Sequence, residues 1–298
     1  MQQSICLAYP QGTKRYKGIL LSAEGSEASA GQKIYSGEES TMIMAIDMGN
    51  TNIVIGCIDN EKIYFVERLS TNASKTDLEY AIAFKNVLEL YNIDVKQIEG
   101  AIISSVVPQL VNVIYRAVEK ILGRRPYVVG PGLKTGLNIL MDNPRQVGSD
   151  LIVDAVAAMK EYGAPVIVID VGTATTISVV DRNRNYIGGM ILPGVRVSVD
   201  SLSSRTAQLP RIGLEAPKKC IGKNTIDCMK SGVIYGNAAC IDGLIDRIET
   251  ELGYSATVVA TGGLAKVLIP HCKKKIILDD GLLLKGLKIL YDKNAPAV

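Results

Sequence analysis

Two short segments carry the same signature: Asp47-Met48-Gly49-Asn50-Thr51-Asn52 and Asp170-Val171-Gly172-Thr173-Ala174-Thr175. Each follows a run of apolar and β-branched residues, 42–46 and 166–169, and each leads into another β-rich run. These residue types suit a phosphate-handling turn at the end of a buried strand. Glycine lets the backbone approach an anion closely, threonine offers a hydroxyl and an amide, and aspartate can hold a cation. Asp47 would then stand near Mg²⁺, with Thr51 and the local amides of Gly49, Asn50 and Asn52 facing phosphate oxygens. A capped β-turn in a strand meander explains one such segment equally well. Two copies about one domain-length apart indicate a duplicated fold with a nucleotide between its halves.

Three further segments carry polar chemistry. Thr261-Gly262-Gly263 follows a buried strand and precedes a helix, where paired glycines let an adenine or a phosphate lie against the backbone. An ordinary strand-to-helix turn reads the same way. Asn143-Pro144 and Val147-Gly148-Ser149-Asp150 come just before an apolar helix at 151–159. Asp150 suits a general base for an alcohol, but from these residues alone Ser149 or Asp150 is better read as the helix N-cap. Gly188-Gly189, Pro193-Gly194 and the run Arg205-Thr206-Ala207 suit an acceptor pocket, or a plain loop, helix and proline stop.

These residues need elements to position them. The first half reads as strands at 42–47, 52–59 and 62–69, a helix at 77–91, a strand at 101–106, a helix at 108–122 and a strand at 127–129. Pro108 suits the first turn of its helix. The second half reads as strands at 165–170, 175–181 and 186–189, helices at 195–205 and 225–252, strands at 257–260 and 276–278, and a helix at 282–291. Three strands followed by alternating helix and strand, given twice, mean two α/β lobes with a nucleotide cleft between them. The lobes are expected over 42–150 and 151–298. Residues 1–41 differ from the rest, with a Gly/Ser/Glu/Ala-rich stretch at 22–41, and are expected to be a poorly ordered extension.

Composition narrows the partners. Of the 298 residues, 47% are hydrophobic and 21% charged, enough for a full core. A net charge of +3 without a long basic block, no Trp and only two Phe argue against nucleic acid. Six cysteines without a CxxC pair, and one histidine, argue against zinc and for reduced thiols in a cytoplasmic protein. No stretch approaches ~18 uninterrupted apolar residues, so no membrane span is expected.

Taken in order over residues 42–294, the chain resembles a type III pantothenate kinase. The resemblance rests on the two Asp-x-Gly turns, Lys75-Thr76 with Tyr80, and Ser104 to Pro108. It continues through Gly130-Pro131-Gly132 with Thr135 to Asn138, Pro193-Gly194, Gly222 to Thr225, Ser231-Gly232 with Tyr235-Gly236, and Ala260 to Ala265. It implies a duplicated actin-like, sugar-kinase (ribonuclease H-like) fold and a homodimer. It implies ATP-dependent phosphorylation of pantothenate to 4'-phosphopantothenate, the first step of coenzyme A synthesis. Position by position, it makes Asp150 the catalytic base and puts Asp47 at the Mg²⁺ end. Asp170 helps hold a monovalent cation, K⁺ or NH₄⁺. Thr173, Thr261, Gly262 and Gly263 face ATP, and Met141, Gly148, Ser149, Leu151 and Thr206 fall in the pantothenate pocket, which the family completes across the dimer. Two positions depart from the family pattern. Met141 stands where the family has Tyr, and Leu151 where it has the Arg that helps hold the acceptor carboxylate. The competing readings are a paralogue acting on another small alcohol and a non-catalytic regulatory protein. Retention of both Asp47 and Asp150 argues against the latter.

Overall fold

The computed structural model describes residues 42–296, so the extension expected over 1–41 lies outside the described residues. Period-two alternation along β1 (Met42–Met48) sets the layers. Met42, Met44, Ile46 and Met48 enter a core shared with α1 (Asp77–Leu90) and α2 (Pro108–Leu122). Ile43 and Ala45 enter a second core on the opposite side of the strand, and Asp47 shares their face.

β1 pairs antiparallel with β2 (Asn52–Ile58), which pairs antiparallel with β3 (Ile63–Ser70). On its other edge β1 runs parallel to β4 (Ile98–Ser105), which runs parallel to β5 (Tyr127–Val128). The order is β3-β2-β1-β4-β5. A short strand, β6 (Asn138–Ile139), and a helix, α3 (Ser149–Tyr162), then lead to the second sheet. Its strands are β7 (Val166–Val171), β8 (Ala174–Val180), β9 (Asn185–Pro193), β10 (Thr257–Thr261) and β11 (Ile277–Leu278). Their order, β11-β10-β7-β8-β9, repeats the first sheet, and β6 adds to the free edge of β9. The connecting helices are α4 (Val195–Ser204), α5 (Thr225–Leu252), α6 (Ala265–Leu268) and α7 (Leu282–Asn294).

Alternation works the same way in β7. Ile167, Ile169 and Val171 enter a core with α4, α5 and α6, while Val166 and Val168 face the second core. That second core is therefore the middle of the molecule. Ile43, Ala45 and Ile102 of the first sheet and Val166, Val168 and Val259 of the second close on Val153 to Ala158 of α3 and on Leu284, Leu287 and Leu290 of α7. The two sheets share one helix pair, and whatever ends β1 and β7 on the inner side must meet at α3.

Several elements run differently from the sequence expectation. The helix expected at 151–159 begins at Ser149 and continues to Tyr162, and the strand expected at 186–189 extends to Pro193 because β8 pairs along its whole length. Gly188-Gly189 lies inside that strand, and a side chain at Gly189 would collide with the Ile177 carbonyl of β8. β6 and α6 are too short to show a period in the sequence.

α7 and α3 pack closely at Gly286, where a β-carbon would run into the carbonyl and side chain of Val153 in α3. Gly286→Ala is expected to destabilise the protein by ~1–3 kcal/mol through overpacking, read as a lowered urea midpoint. An unchanged midpoint would show that the two helices can part freely.

Candidate active site

Asp47 and Asp170 occupy equivalent places in the two halves. Asp47 lies opposite Val54 of β2 and Ser104 of β4, and Asp170 lies opposite Thr176 of β8 and Thr261 of β10. Each carboxylate thus ends a central strand beside a hydroxyl residue of its parallel neighbour. Both share the inner face with the residues that contact α3. Asp150 is the second residue of α3, and Asp154, one turn on, lies on the same side of the helix.

This convergence shapes the electrostatics. Burial pushes the Asp47 carboxyl up to about 7; a hydrogen bond from Ser104 opposes this, and the charges of Asp150 and Asp170 add to it. Asp47 is only half-buried as a residue, yet its Oδ1 is fully covered and has no hydrogen-bond partner among the described residues. Burial, then Asp150, pushes Asp170 up to about 7, with Arg68 of β3 pulling the other way. Asp154 is raised well above the usual carboxylate range, first by burial and then by Asp170, Asp150 and Asp47. It is 4% exposed, and its Oδ1 is also unpartnered. Burial raises Asp150 as well, while the Leu151 amide, donating to Oδ1 at 2.9 Å, holds it down.

Four carboxylates with one nearby guanidinium leave the site short of positive charge. Among the described residues, no three acidic, histidine or cysteine side chains converge closely enough to chelate a metal. One or two carboxylates, with phosphate and water completing the shell, is the arrangement Mg²⁺ takes at nucleotide sites. The orphaned carboxylate oxygens fit a cation of this kind.

The two turns meet directly. Thr51 Oγ1 lies 3.1 Å from Thr173 Oγ1, both on exposed residues. The first turn is closed by the Gly49 amide donating to the Asn52 carbonyl at 2.9 Å and by the Thr71 hydroxyl donating to the Gly49 carbonyl at 2.7 Å. Gly49, Asn50, Thr51 and Asn52 are exposed or half-buried around it. The second turn is closed by the Gly172 amide donating to the Ala174 carbonyl at 3.0 Å. Thr261-Gly262-Gly263 packs onto this second turn. Gly262 has φ 97°, and a β-carbon there would collide with Val171 and the Asp170 carboxylate. Of the threonines in the second turn, Thr175 shares the outer face of β8 with Ile177 and Val179, so its buried hydroxyl is aimed away from Asp170.

The N-cap reading of Ser149 or Asp150 does not hold. Gly148 is the cap residue, without a side-chain cap bond. The Ser149 hydroxyl is taken up by the end of β4: it donates to the Ser105 carbonyl at 3.0 Å, accepts from the Ser105 amide at 3.1 Å and lies 3.0 Å from Ser104 Oγ. Ser149 therefore pins the start of α3 to the strand beside Asp47. Asp150, in the first helical turn, sits at the positive end of the helix dipole.

A cavity of about 460 Å³ adjoins the start of α3, lined by Leu140, Met141, Asn143, Val147, Leu151, Tyr186 and Ile191 among others; its one charged lining residue is Asp142. Met141 and Leu151 are thus brought together, with Gly148 and Ser149 beside Leu151 in the chain. Thr206 is not among the lining residues. It lies on the surface at the end of α4, its hydroxyl donating to the Leu202 carbonyl at 2.8 Å. Asp154 and Arg68 were not singled out from the sequence, and Ser104 entered only within the segment 104–108, without a role. Asp154 alone left a signal, an acid inside an apolar helix four residues after Asp150.

Because folded Asp47 and Asp170 hold protons more tightly than the unfolded chain does, their carboxyls oppose folding as pH rises from the ordinary carboxylate range through about 7. In cation-free buffer the melting temperature is expected to be higher at pH 5 than at pH 8. Mg²⁺ should narrow the gap, and Asp47→Asn should flatten it. A melting temperature that rises over this range would contradict the electrostatic account.

Residues 43–247 match the family model described as type III pantothenate kinase. A type III pantothenate kinase from an Exiguobacterium species is 46% identical over 253 residues, covering 85% of this chain and 99% of the relative. One from Moorella thermoacetica is 42% identical over 253 residues, covering 85% and 100%. A Sinorhizobium meliloti structure described as a 2-dehydro-3-deoxygalactonokinase superposes with a TM-score of 0.52 at 11% identity, over 86% of this chain and 98% of the other. A Campylobacter jejuni structure described as a Baf-family transcriptional activator gives 0.52 at 20% identity, over 85% and 98%. At these identities the structures speak for the fold alone, the duplicated actin-like, sugar-kinase fold. The match along the sequence goes further: the chain belongs to the type III pantothenate kinase family.

Proposed function

We propose that this chain transfers the γ-phosphoryl group of ATP to the alcohol of pantothenate, giving 4'-phosphopantothenate. The observation that carries the reading is the position of Asp150, at the start of the helix both sheets share, between the paired phosphate turns and the cavity at Met141 and Leu151. We read the chain as two lobes, 42–150 and 151–298, with β6 crossing over to the second sheet.

The turns at Asp47–Asn52 and Asp170–Thr175, with Thr261–Gly263, would bind the nucleotide. Thr51 and Thr173 would orient phosphate oxygens from opposite sides of the cleft. Mg²⁺ near Asp47, when bound, would neutralise the phosphate oxygens and keep them in line. Asp170 would help hold a monovalent cation, K⁺ or NH₄⁺, which suits the surplus of negative charge around it. Asp150 would orient the acceptor hydroxyl and take its proton as the oxygen bonds to the γ-phosphorus and the bond to the β–γ bridging oxygen breaks. Its Oδ1 is held by the Leu151 amide, which leaves the other carboxyl oxygen for the alcohol. Burial raises the Asp150 carboxyl above its ordinary value, which makes it a better proton acceptor.

The cavity beside Asp150 would take the acceptor through Met141, Gly148, Ser149 and Leu151. A second copy of the chain would complete it with its own Thr206. Ile191, 77% exposed beside the cavity, and the exposed Val197 and Leu202 of α4 offer apolar surface for such a homodimer. A cytoplasmic setting fits the free thiols of the described cysteines. No helix among the described residues is long and apolar enough to cross a membrane.

One feature favours a second reading, a kinase for a less acidic alcohol: the cavity presents no cationic side chain to a carboxylate. A lost charge-assisted contact costs ~1.5–3 kcal/mol, roughly ten- to a hundredfold in affinity. Pantothenate-dependent ATP consumption with Mg²⁺ and K⁺ decides between the two. Turnover with pantothenate supports the first reading, and its absence with ATP still bound supports the second. Asp150→Asn is expected to keep ATP binding and lose ~100-fold or more of turnover, on the scale of a lost general base. Near-normal turnover would remove Asp150 from the role. Leu151→Arg with Met141→Tyr should lower the pantothenate KM about tenfold; no change would mean that these positions do not set acceptor affinity.

A further inference from the structure

Arg68 is the positive charge that opposes the raised carboxyl of Asp170, yet no described residue holds it. It lies on β3, the outer strand of the first sheet, opposite Val54 of β2. Its side chain is exposed and makes no ion pair or hydrogen bond to another described residue. A side-chain carbon at Gly263 would lie 3.5 Å from both terminal nitrogens of the guanidinium. An arginine of the first sheet thus reaches the glycine turn of the second. That turn packs on Asp170, so Arg68 reaches from the first sheet to the edge of the second Asp-x-Gly turn.

We propose that Arg68 is a catalytic residue, its guanidinium gripping the phosphate chain of ATP from the first sheet while the Gly262-Gly263 turn holds the nucleotide from the second. The inference rests on the ATP-dependent reading above. A planar fork of five donors matches phosphate oxygens bidentately, and an unpaired, exposed guanidinium needs little desolvation to do so. The absence of a side chain at Gly263 keeps the space in front of the fork open. The simpler role, counter-ion to Asp170, fits less well. The two groups form no ion pair, and burial and Asp150 outweigh the influence of Arg68 there. In the transfer, the acceptor oxygen bonds to the γ-phosphorus, its proton passes to Asp150, and the β–γ bridging oxygen leaves with ADP carrying new negative charge. A cation on the phosphate chain stabilises that charge most as the bond breaks, so Arg68 should act on kcat as well as on nucleotide affinity.

The test compares Arg68→Gln and Arg68→Lys with the wild-type full chain, using ADP and AMP in calorimetric titrations and pantothenate-dependent turnover. Arg68→Gln is expected to weaken ADP roughly 10- to 100-fold while leaving AMP unchanged, and to lower kcat ~100-fold or more with an unchanged pantothenate KM. Arg68→Lys should recover part of the ADP affinity and little of kcat. Wild-type ADP affinity and turnover in Arg68→Gln would overturn the proposal, as would equal weakening of ADP and AMP in both variants. The titrations need no acceptor. If the wild type failed to turn over pantothenate, the acceptor reading would fall while the ADP-against-AMP contrast still decided the role of Arg68.

Discussion

Four carboxylates, Asp47, Asp150, Asp154 and Asp170, lie near enough to feel one another's charge where two sheets and one helix start converge. An unpaired buried charge costs several kcal/mol, while a whole domain is stable by only ~5–15 kcal/mol. The molecule tolerates this cluster because its carboxyls are raised toward protonation and because its oxygens can be met by a cation. Such perturbed groups in a cleft are the mark of a site shaped for something other than stability. Phosphoryl transfer supplies the missing positive charge in its metal ions and asks in return for residues fixed in place.

The rest of the structure supplies that fixity. Two sheets of the same strand order each end a central strand with an aspartate on the inner face, and each sets a hydroxyl residue beside it from the parallel neighbour. The middle layer joins them through α3 and α7, close enough at Gly286 to exclude a side chain. Ser149 ties the start of α3 to Ser104 and Ser105, so Asp150 and Asp47 are referenced to one strand end. The cavity at Met141 and Leu151 is built differently, from a mostly apolar lining with Asp142 as its one charged residue.

The turns were legible in the sequence because their chemistry is local. Gly49, Gly172 and the aspartates beside them act within a few residues of backbone, and the duplication repeated the signal. The layering was legible for a related reason, since alternation along β1 and β7 shows in the residue types. What stayed hidden depends on contacts between distant segments. Ser149 looked like a cap because its hydroxyl is a good one, and only the arrival of β4 takes that hydroxyl away. Asp154 joins the cluster because α3 presents that side to both sheets. Arg68 gave no local signal, because the turn it reaches, at Gly263, lies almost two hundred residues later. Gly188-Gly189 looked like the end of a strand because glycine weakens one, while the close approach of β8 is what requires Gly189 inside it.

The central claim is that Asp150 stands between a nucleotide held by the two turns and an alcohol held in the cavity at Met141 and Leu151. The measurement that tests it most directly is a crystal structure of the chain with Mg²⁺, a non-hydrolysable ATP analogue and pantothenate. The account predicts the phosphate chain between Thr51 and Thr173, with the pantothenate hydroxyl in hydrogen-bonding reach of Asp150 and in line with the γ-phosphorus. A nucleotide bound away from the turns, or an acceptor whose hydroxyl lies beyond the reach of Asp150, would contradict it.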